Sequence, residues 1–96
     1  MTTYFVSRHA GAVQWASREG LCVDVWLEHL DAVPILPGDV VAGTLPVHLA
    51  ALVCERGATY LHLSINMPSQ ARGDELTAEQ LEQMGARLEN YRVFRG

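Results

Sequence analysis

The chain has 96 residues, a net charge of −4, and seven arginines but no lysine, so we expect a single domain spanning residues 1–96. An acidic chain with few cations lacks the basic surface needed to coat a long nucleic acid, although a small anionic ligand needs only a local group of donors. No apolar run could span a bilayer and no signal peptide is recognisable, which indicates a cytoplasmic protein without a membrane partner. Because the core of such a small domain is modest, a second copy of the chain would help to bury it, so we expect a homodimer.

The first predicted unit is a strand, a helix and a second strand. Residues 3–7 are short, aromatic and β-branched, which is typical of a buried strand. Gly11 permits a tight entry into a helix over residues 12–19, and Gly20 predicts its left-handed end. Residues 21–26 predict the second strand.

The second predicted unit repeats this pattern after a connection. Residues 27–39 contain two prolines and a glycine, which predicts a connection with one helical turn at 27–32. Residues 40–44 predict the third strand, and a helix then runs to a stop at Gly57. Residues 59–64 predict the fourth strand.

The last third of the chain predicts a loop and a helix. Residues 66–74 have the composition of a surface loop, from which Arg72 could close over a ligand. Thr77 and Gln80 form a capping-box pattern at the start of a helix. Its predicted apolar stripe has helical spacing and consists of Leu81, Met84, Leu88 and Tyr91.

This order predicts the α/β class, as a small Rossmann-like domain of about four mostly parallel strands flanked by three helices. The two units run in register, because Ser7 lies 13 residues before Gly20 and Thr44 lies 13 before Gly57. Both hydroxyl residues are therefore expected at carboxyl ends of strands, where ligands bind in open α/β sheets.

Ser7, Arg8 and His9 follow the first predicted strand directly. The Arg8 guanidinium offers a planar fork of donors to phosphate, Ser7 adds a hydroxyl, and His9 can exchange protons near neutral pH. The alternative is structural, with Arg8 paired to a surface carboxylate and His9 capping the turn. We favour an anion site.

A second group of candidate ligands follows the third strand. Thr44 and His48 lie at the entry to a helix, where backbone N–H groups and the helix dipole favour an anion, and Gly43 has no side chain to obstruct one. Pro46 suits the first turn of that helix, with Thr44 or Leu45 near its cap. Thr44 as an N-cap and Thr44 as a phosphate ligand are equally supported, and a structural role is favoured for His48.

Other polar residues in the strands receive structural interpretations. Asp24 is either a functional carboxylate or, as we favour, turned to solvent at a sheet edge. Asp39 is interpreted as turn chemistry, and His62 as a core or edge histidine.

The sequence predicts neither a metal nor a cofactor. Cys22 and Cys54 are interpreted as buried free thiols, one in a strand and one in a helix. His29 and Asp31 have no third ligand at suitable spacing for zinc. The dinucleotide-binding fingerprint and the P-loop are both absent.

The chain also resembles a family of small proteins encoded beside type III CRISPR systems. The resemblance lies in Ser7-Arg8-His9, Gly11, Trp15, and Gly38-Asp39 through Gly43-Thr44-Leu45-Pro46-Val47-His48, and continues in His62-Leu63-Ser64 and residues 72–81. That family is grouped with the ring nucleases, which degrade cyclic oligoadenylate messengers, and its fold is related to the CRISPR-associated Rossmann fold.

The resemblance implies a substrate and a reaction. The substrate would be cyclic tetra-adenylate, bound across the two-fold axis of a dimer. A ribose 2′-hydroxyl would attack its own 3′ phosphate without a metal and leave a 2′,3′-cyclic phosphate. On chemical grounds we assign Arg8, His9 and Ser7 to catalysis, and the predicted substrate-binding residues are Gly11, Gly43, Thr44, Leu45, Pro46, His48 and Arg72.

Two alternatives remain open from the sequence. The same pocket could hold the cyclic messenger uncut, as a sensor or sponge. Alternatively, the stripe from Leu81 to Tyr91 could be the functional surface of an adaptor protein.

Overall fold

The structure is a computed structural model and describes residues 1–30, 34–66 and 76–95. Five strands and three helices follow one another along the chain: β1 (Thr3–Val6), α1 (Ala10–Arg18), β2 (Val25–Leu27), β3 (Val40–Gly43), α2 (Val47–Glu55), β4 (Thr59–Ser64), α3 (Ala78–Gln83) and β5 (Arg87–Tyr91). The predicted α/β class is confirmed, and the sheet has one strand more than the sequence predicted.

All five strands form one sheet in the order β2-β1-β3-β4-β5. Strands β2, β1, β3 and β4 run parallel to one another, whereas β5 pairs antiparallel with β4. From β1 the chain passes to β2 on one side, and it then returns to place β3 on the other side of β1. The direction of strand addition therefore reverses between β1 and β3, which makes this boundary a topological switch point.

Helices cover both faces of the sheet because side chains alternate along each strand. Phe5 of β1 belongs to one core, which α1 and α3 cover with Ala12, Trp15, Ala16, Ala78 and Leu81. Its neighbours Tyr4 and Val6 face the opposite core, which α2 covers with Ala50 and Val53. Phe5 and Val53 are fully buried. The sheet is thus the middle of three layers.

The first two helices repeat one geometry. Both α1 and α2 have nine residues and begin three positions after Ser7 and Thr44 respectively. Two residues after its last residue, each helix is followed by a glycine with positive φ, +73° at Gly20 and +79° at Gly57. The Ala58 N–H, just past the second glycine, donates to the Val53 carbonyl of α2, as expected of a glycine helix end. The predicted repeat is therefore present in the backbone.

Two carboxylates hold the opposite edge of the sheet, where the strands begin. The Asp39 carboxylate accepts the Thr2 N–H at 2.9 Å and the Leu36 N–H at 3.0 Å. These two backbone donors lower the pKa of Asp39. Asp24 is exposed and accepts the Thr3 N–H at 2.8 Å. Both are structural, as the turn and edge interpretations proposed.

The predicted apolar stripe of a single third helix is wrong. Thr77 and Gln80 do form the expected capping box, but α3 ends at Gln83, and Gly85 takes a φ of +72° that no right-handed helix allows. Residues 87–91 then pair with β4 as β5. Leu81 and Leu88 consequently lie on different elements, and Tyr91 is exposed. The adaptor hypothesis loses the surface on which it depended.

Three smaller predictions also need correction. The second strand begins at Val25 rather than Leu21, so Cys22 precedes it and is exposed, not buried. Cys54 lies in α2 as predicted but is only half-buried, and both thiols are free. The helical turn at 27–32 is not formed where it can be followed, because Leu27 ends β2 and residues 28–30 are not helical. Residues 31–33 lie outside the described residues.

None of the described helices is long and apolar enough to cross a membrane.

Candidate functional site

The candidate site lies where β1 and β3 end side by side. Val6 and Gly43, the last residues of these strands, are register partners, so Ser7 and Thr44 leave the sheet at the same edge. This edge is also the switch point at which α1 and α2 depart toward opposite faces, opening a crevice between them. The two strand ends that the sequence singled out are therefore neighbours.

A cavity of about 790 Å³ occupies this crevice, and we call it the rim cavity. Its polar lining consists of Ser7, Arg8, His9, Glu28, His29 and Thr44. Its apolar lining consists of Val6, Ala12, Leu30, Leu45, Pro46, Leu49, Leu63, Ile65, Leu76 and Leu81. A cavity lined mainly by apolar side chains together with a few polar groups is typical of a small-molecule site.

Residues 7–9 form a tight turn from β1 into α1. The Ser7 N–H donates to the Leu27 carbonyl at 2.9 Å, and its hydroxyl accepts the His9 N–H at 3.1 Å. His9 occupies the N-cap position of α1, but its side chain does not cap the helix. Arg8 is exposed, and no carboxylate forms an ion pair with it among the residues that the structure describes. The Arg8 guanidinium is therefore available to bind an anion at the rim cavity.

The corresponding turn after β3 differs from the prediction. Pro46, not Thr44 or Leu45, is the N-cap of α2, and it supplies no side-chain hydrogen bond. The exposed side chain of Thr44 is therefore not used as a cap. Both α1 and α2 begin at the rim without side-chain caps, whereas α3 begins with a complete capping box. Uncapped N–H groups and two helix dipoles make this edge favourable for negative charge.

A buried hydroxyl under the rim fixes the turn after β3. The Tyr60 hydroxyl accepts the Leu45 N–H at 3.0 Å, lies 2.6 Å from His62 Nδ1 and reaches the Gly43 carbonyl at 3.4 Å. Burial raises the pKa of Tyr60, so the phenol stays protonated across the neutral range. His62 also contacts the ring of Tyr91 edge-on, with centroids 5.7 Å apart. The interpretation of His62 as a core or edge histidine agrees with this geometry.

Several predicted site residues do not line the rim cavity. A Cβ at Gly11 would overlap the Leu76 carbonyl, and one at Gly43 would overlap the Val6 carbonyl, so both glycines serve close backbone packing. His48 is exposed on α2 but is not part of the lining. Arg72 lies outside the described residues. Ser7, Arg8, His9, Thr44, Leu45 and Pro46 are the predicted residues that the structure brings together at the cavity.

Glu28 and His29 line the rim cavity, although the sequence did not predict them as site residues. They follow Leu27, where β2 ends beside β1 at the same edge of the sheet. The available signal was their position after an apolar strand, and it was overlooked because a helical turn was expected there. His29 adds a second imidazole to the rim besides His9. Within the described residues, no group of three or more His, Cys, Asp or Glu side chains is arranged to hold a metal ion.

Fold and site together define the class of protein: an α/β domain with a doubly wound sheet and an anion-favouring crevice at its switch point. Residues 4–94 match the family model described as "Putative CRISPR-associated protein (Cas_VVA1548)". The chain therefore belongs to this CRISPR-associated family. Comparisons with curated proteins and with solved structures found no match.

Proposed function

We propose that this protein is a ring nuclease that cleaves a cyclic oligoadenylate, with cyclic tetra-adenylate as the expected substrate. The observation that carries the proposal is the rim cavity, in which Arg8, two hydroxyl groups and two uncapped helix starts converge. A cyclic nucleotide has compact, closely spaced phosphates that suit such a local group of donors. Membership of a CRISPR-associated family and the resemblance to ring nucleases support the identity of the ring.

The proposed reaction uses the substrate's own nucleophile. The ribose 2′-oxygen attacks the adjacent phosphorus, the bond from phosphorus to the next 5′-oxygen breaks, and a 2′,3′-cyclic phosphate and a 5′-hydroxyl result. A base removes the 2′-hydroxyl proton, and an acid protonates the departing 5′-oxygen. No metal is required, because the protein contributes geometry and charge stabilisation.

The roles of the rim residues follow from their chemistry. Arg8 stabilises the negative charge that develops on the phosphoryl oxygens, while Ser7 and Thr44 orient the phosphate. His9 and His29 are the candidate base and acid, because an imidazole can both accept and donate a proton. His48 was predicted as a substrate-binding residue, but it receives no role here because it does not line the cavity.

We further propose that two copies act together on one ring. A ring of four identical nucleotides has a two-fold axis, and so does a symmetric dimer, so each copy could present one rim cavity to half of the substrate. This arrangement would also cover apolar surface of a small domain. Mass measurement in solution, with and without the ring, tests the assembly.

The experiment that tests cleavage is incubation of the purified protein with cyclic tetra-adenylate and excess chelator. We expect linear products ending in a 2′,3′-cyclic phosphate. Arg8→Ala should lower the single-turnover rate by about 10²–10³, the typical effect of removing one donor to a developing oxyanion. Arg56→Ala is the matched control, because Arg56 is an exposed arginine at the far end of α2.

The possible outcomes separate the candidate functions. Retention of an intact ring by the wild-type protein would refute cleavage and favour the sensor or sponge. Failure to bind any cyclic oligoadenylate would refute both. Equal rates for Arg8→Ala and Arg56→Ala would remove Arg8 from the mechanism.

A further inference from the structure

A second cavity, of about 420 Å³, shares the segment 7–9 with the rim cavity. It runs between α1 and the edge strand β2, and Val13, Gln14 and Trp26 line it without lining the rim cavity. Ser7, Arg8, His9 and Glu28 line both cavities. We propose that this second cavity, the Trp26 cleft, binds an adenine base of the same nucleotide whose phosphate contacts Arg8. The inference rests on the proposed function and extends it to a base-recognition site.

Trp26 is the reason for assigning a base to the cleft. It lies beside Phe5 on the face of the sheet that α1 covers, with ring centroids 5.4 Å apart and planes inclined by 52°. Trp26 nevertheless remains 41% exposed, whereas Trp15 on the same face is 4% exposed. Packing on Phe5 therefore leaves much of the indole uncovered. An uncovered indole in a cleft is a stacking surface for a nucleobase.

The polar groups of the cleft suit adenine. Gln14 presents a carboxamide with both a donor and an acceptor, the pair that matches the N6 amino group and N7 of adenine. The Glu28 carboxylate can only accept, so it also favours a base carrying an amino group.

Arg8 explains why base and phosphate would be bound together. Because Arg8 lines both cavities, a phosphate held in the rim cavity places its nucleoside within reach of the cleft. The simpler interpretation is that Trp26 only shields Phe5. That interpretation predicts that Trp26 affects folding stability and has no influence on which nucleotide binds.

The test compares binding and cleavage in Trp26→Ala and Trp26→Phe. Loss of base stacking is typically worth about 1–3 kcal/mol, so Trp26→Ala should raise KM for cyclic tetra-adenylate by about 5-fold to 150-fold, with the loss falling on KM rather than kcat. Trp26→Phe should recover most of this loss, because phenylalanine still stacks. Phe94→Ala is the matched control, since Phe94 is an aromatic residue 74% exposed and outside the cleft.

Fluorescence provides a readout that does not depend on cleavage. Adenosine monophosphate should quench tryptophan emission of the wild-type protein but not of Trp26→Phe. Inosine monophosphate, which lacks the amino group, should bind more weakly, and ribose 5-phosphate should not quench. Equal quenching by ribose 5-phosphate, or an unchanged KM in Trp26→Ala, would overturn the base site.

The two proposals fail separately. Cleavage of the ring with identical kinetics in wild type and Trp26→Ala would leave the ring nuclease standing and refute the Trp26 cleft. Base-dependent quenching without any cleavage would support the cleft and refute the nuclease.

Discussion

Replacing Tyr60 with phenylalanine removes one buried oxygen that holds the turn after β3. Tyr60 is 2% exposed and Leu45 is 8% exposed, and the hydrogen bond between them is buried. The change leaves the Leu45 N–H without its acceptor and His62 Nδ1 without its partner. The ring itself, which packs in the core, is retained.

The expected destabilisation can be estimated from these two contacts. An orphaned buried donor costs about 1–3 kcal/mol, and losing an ordinary hydrogen bond costs about 0.5–1.5 kcal/mol. Because phenylalanine avoids burying a hydroxyl, part of this cost is offset, and we expect a net loss of about 2 kcal/mol. In a domain of this size that corresponds to a fall in Tm of about 8–16 °C.

Urea unfolding of the wild type, Tyr60→Phe and Tyr91→Phe measures the effect. Tyr91→Phe is the matched control: it deletes the same atom from a tyrosine that is 46% exposed and also contacts His62. The control should change the free energy of unfolding by less than about 0.5 kcal/mol. Equal destabilisation by the two substitutions would refute the conclusion that the Tyr60 hydroxyl holds the rim turn.

Two further predictions concern the backbone and the pH dependence of stability. Gly20→Ala should lower the free energy of unfolding by roughly 1–2 kcal/mol, because Gly20 has a left-handed backbone and open space around it. Gly43→Ala should lower it by more, because the added Cβ would also overlap the Val6 carbonyl. Equal urea midpoints for the two variants would contradict this. The Asp39 pKa is lowered by folding, so its contribution is present above the unfolded value of about 3.8 and is lost as pH falls through the folded value. The stability difference between wild type and Asp39→Asn should therefore shrink from pH 7 to pH 3, and a constant difference would contradict the assignment.

The fold could be predicted largely because its signals are local. Glycines at positions 20 and 57 end two helices of equal length, and short apolar runs precede both helices. Since parallel strands share an edge, locating two strand ends was enough to expect Ser7 and Thr44 on the same side of the sheet. That they are adjacent depends on the strand order, which local patterns do not encode.

The end of the chain shows where local pattern fails. The apolar residues from Leu81 to Tyr91 fit helical spacing, yet Gly85 divides them and residues 87–91 complete the sheet beside β4. Antiparallel pairing with β4 is a long-range contact that outweighs the helical pattern in so short a segment. The spacing of the apolar residues alone could not distinguish a continued helix from a short helix followed by a strand.

Glu28 and His29 illustrate the same limit at the site. Their place at the site depends on β2 pairing with β1, which is a long-range contact and not a property of the residues themselves. Pro46 as the N-cap of α2 was likewise missed, because the sequence suggested the hydroxyl of Thr44 for that position.

The difference between the helix starts has a consequence for screening. The Thr77 side chain caps the N-terminus of α3, while α1 and α2 begin without a side-chain cap. An anionic ligand bound between these two helix starts would accept hydrogen bonds from both, so binding should raise the Tm of the protein. Measuring the Tm in the presence of a panel of anions would then rank candidate ligands before any reaction product is sought.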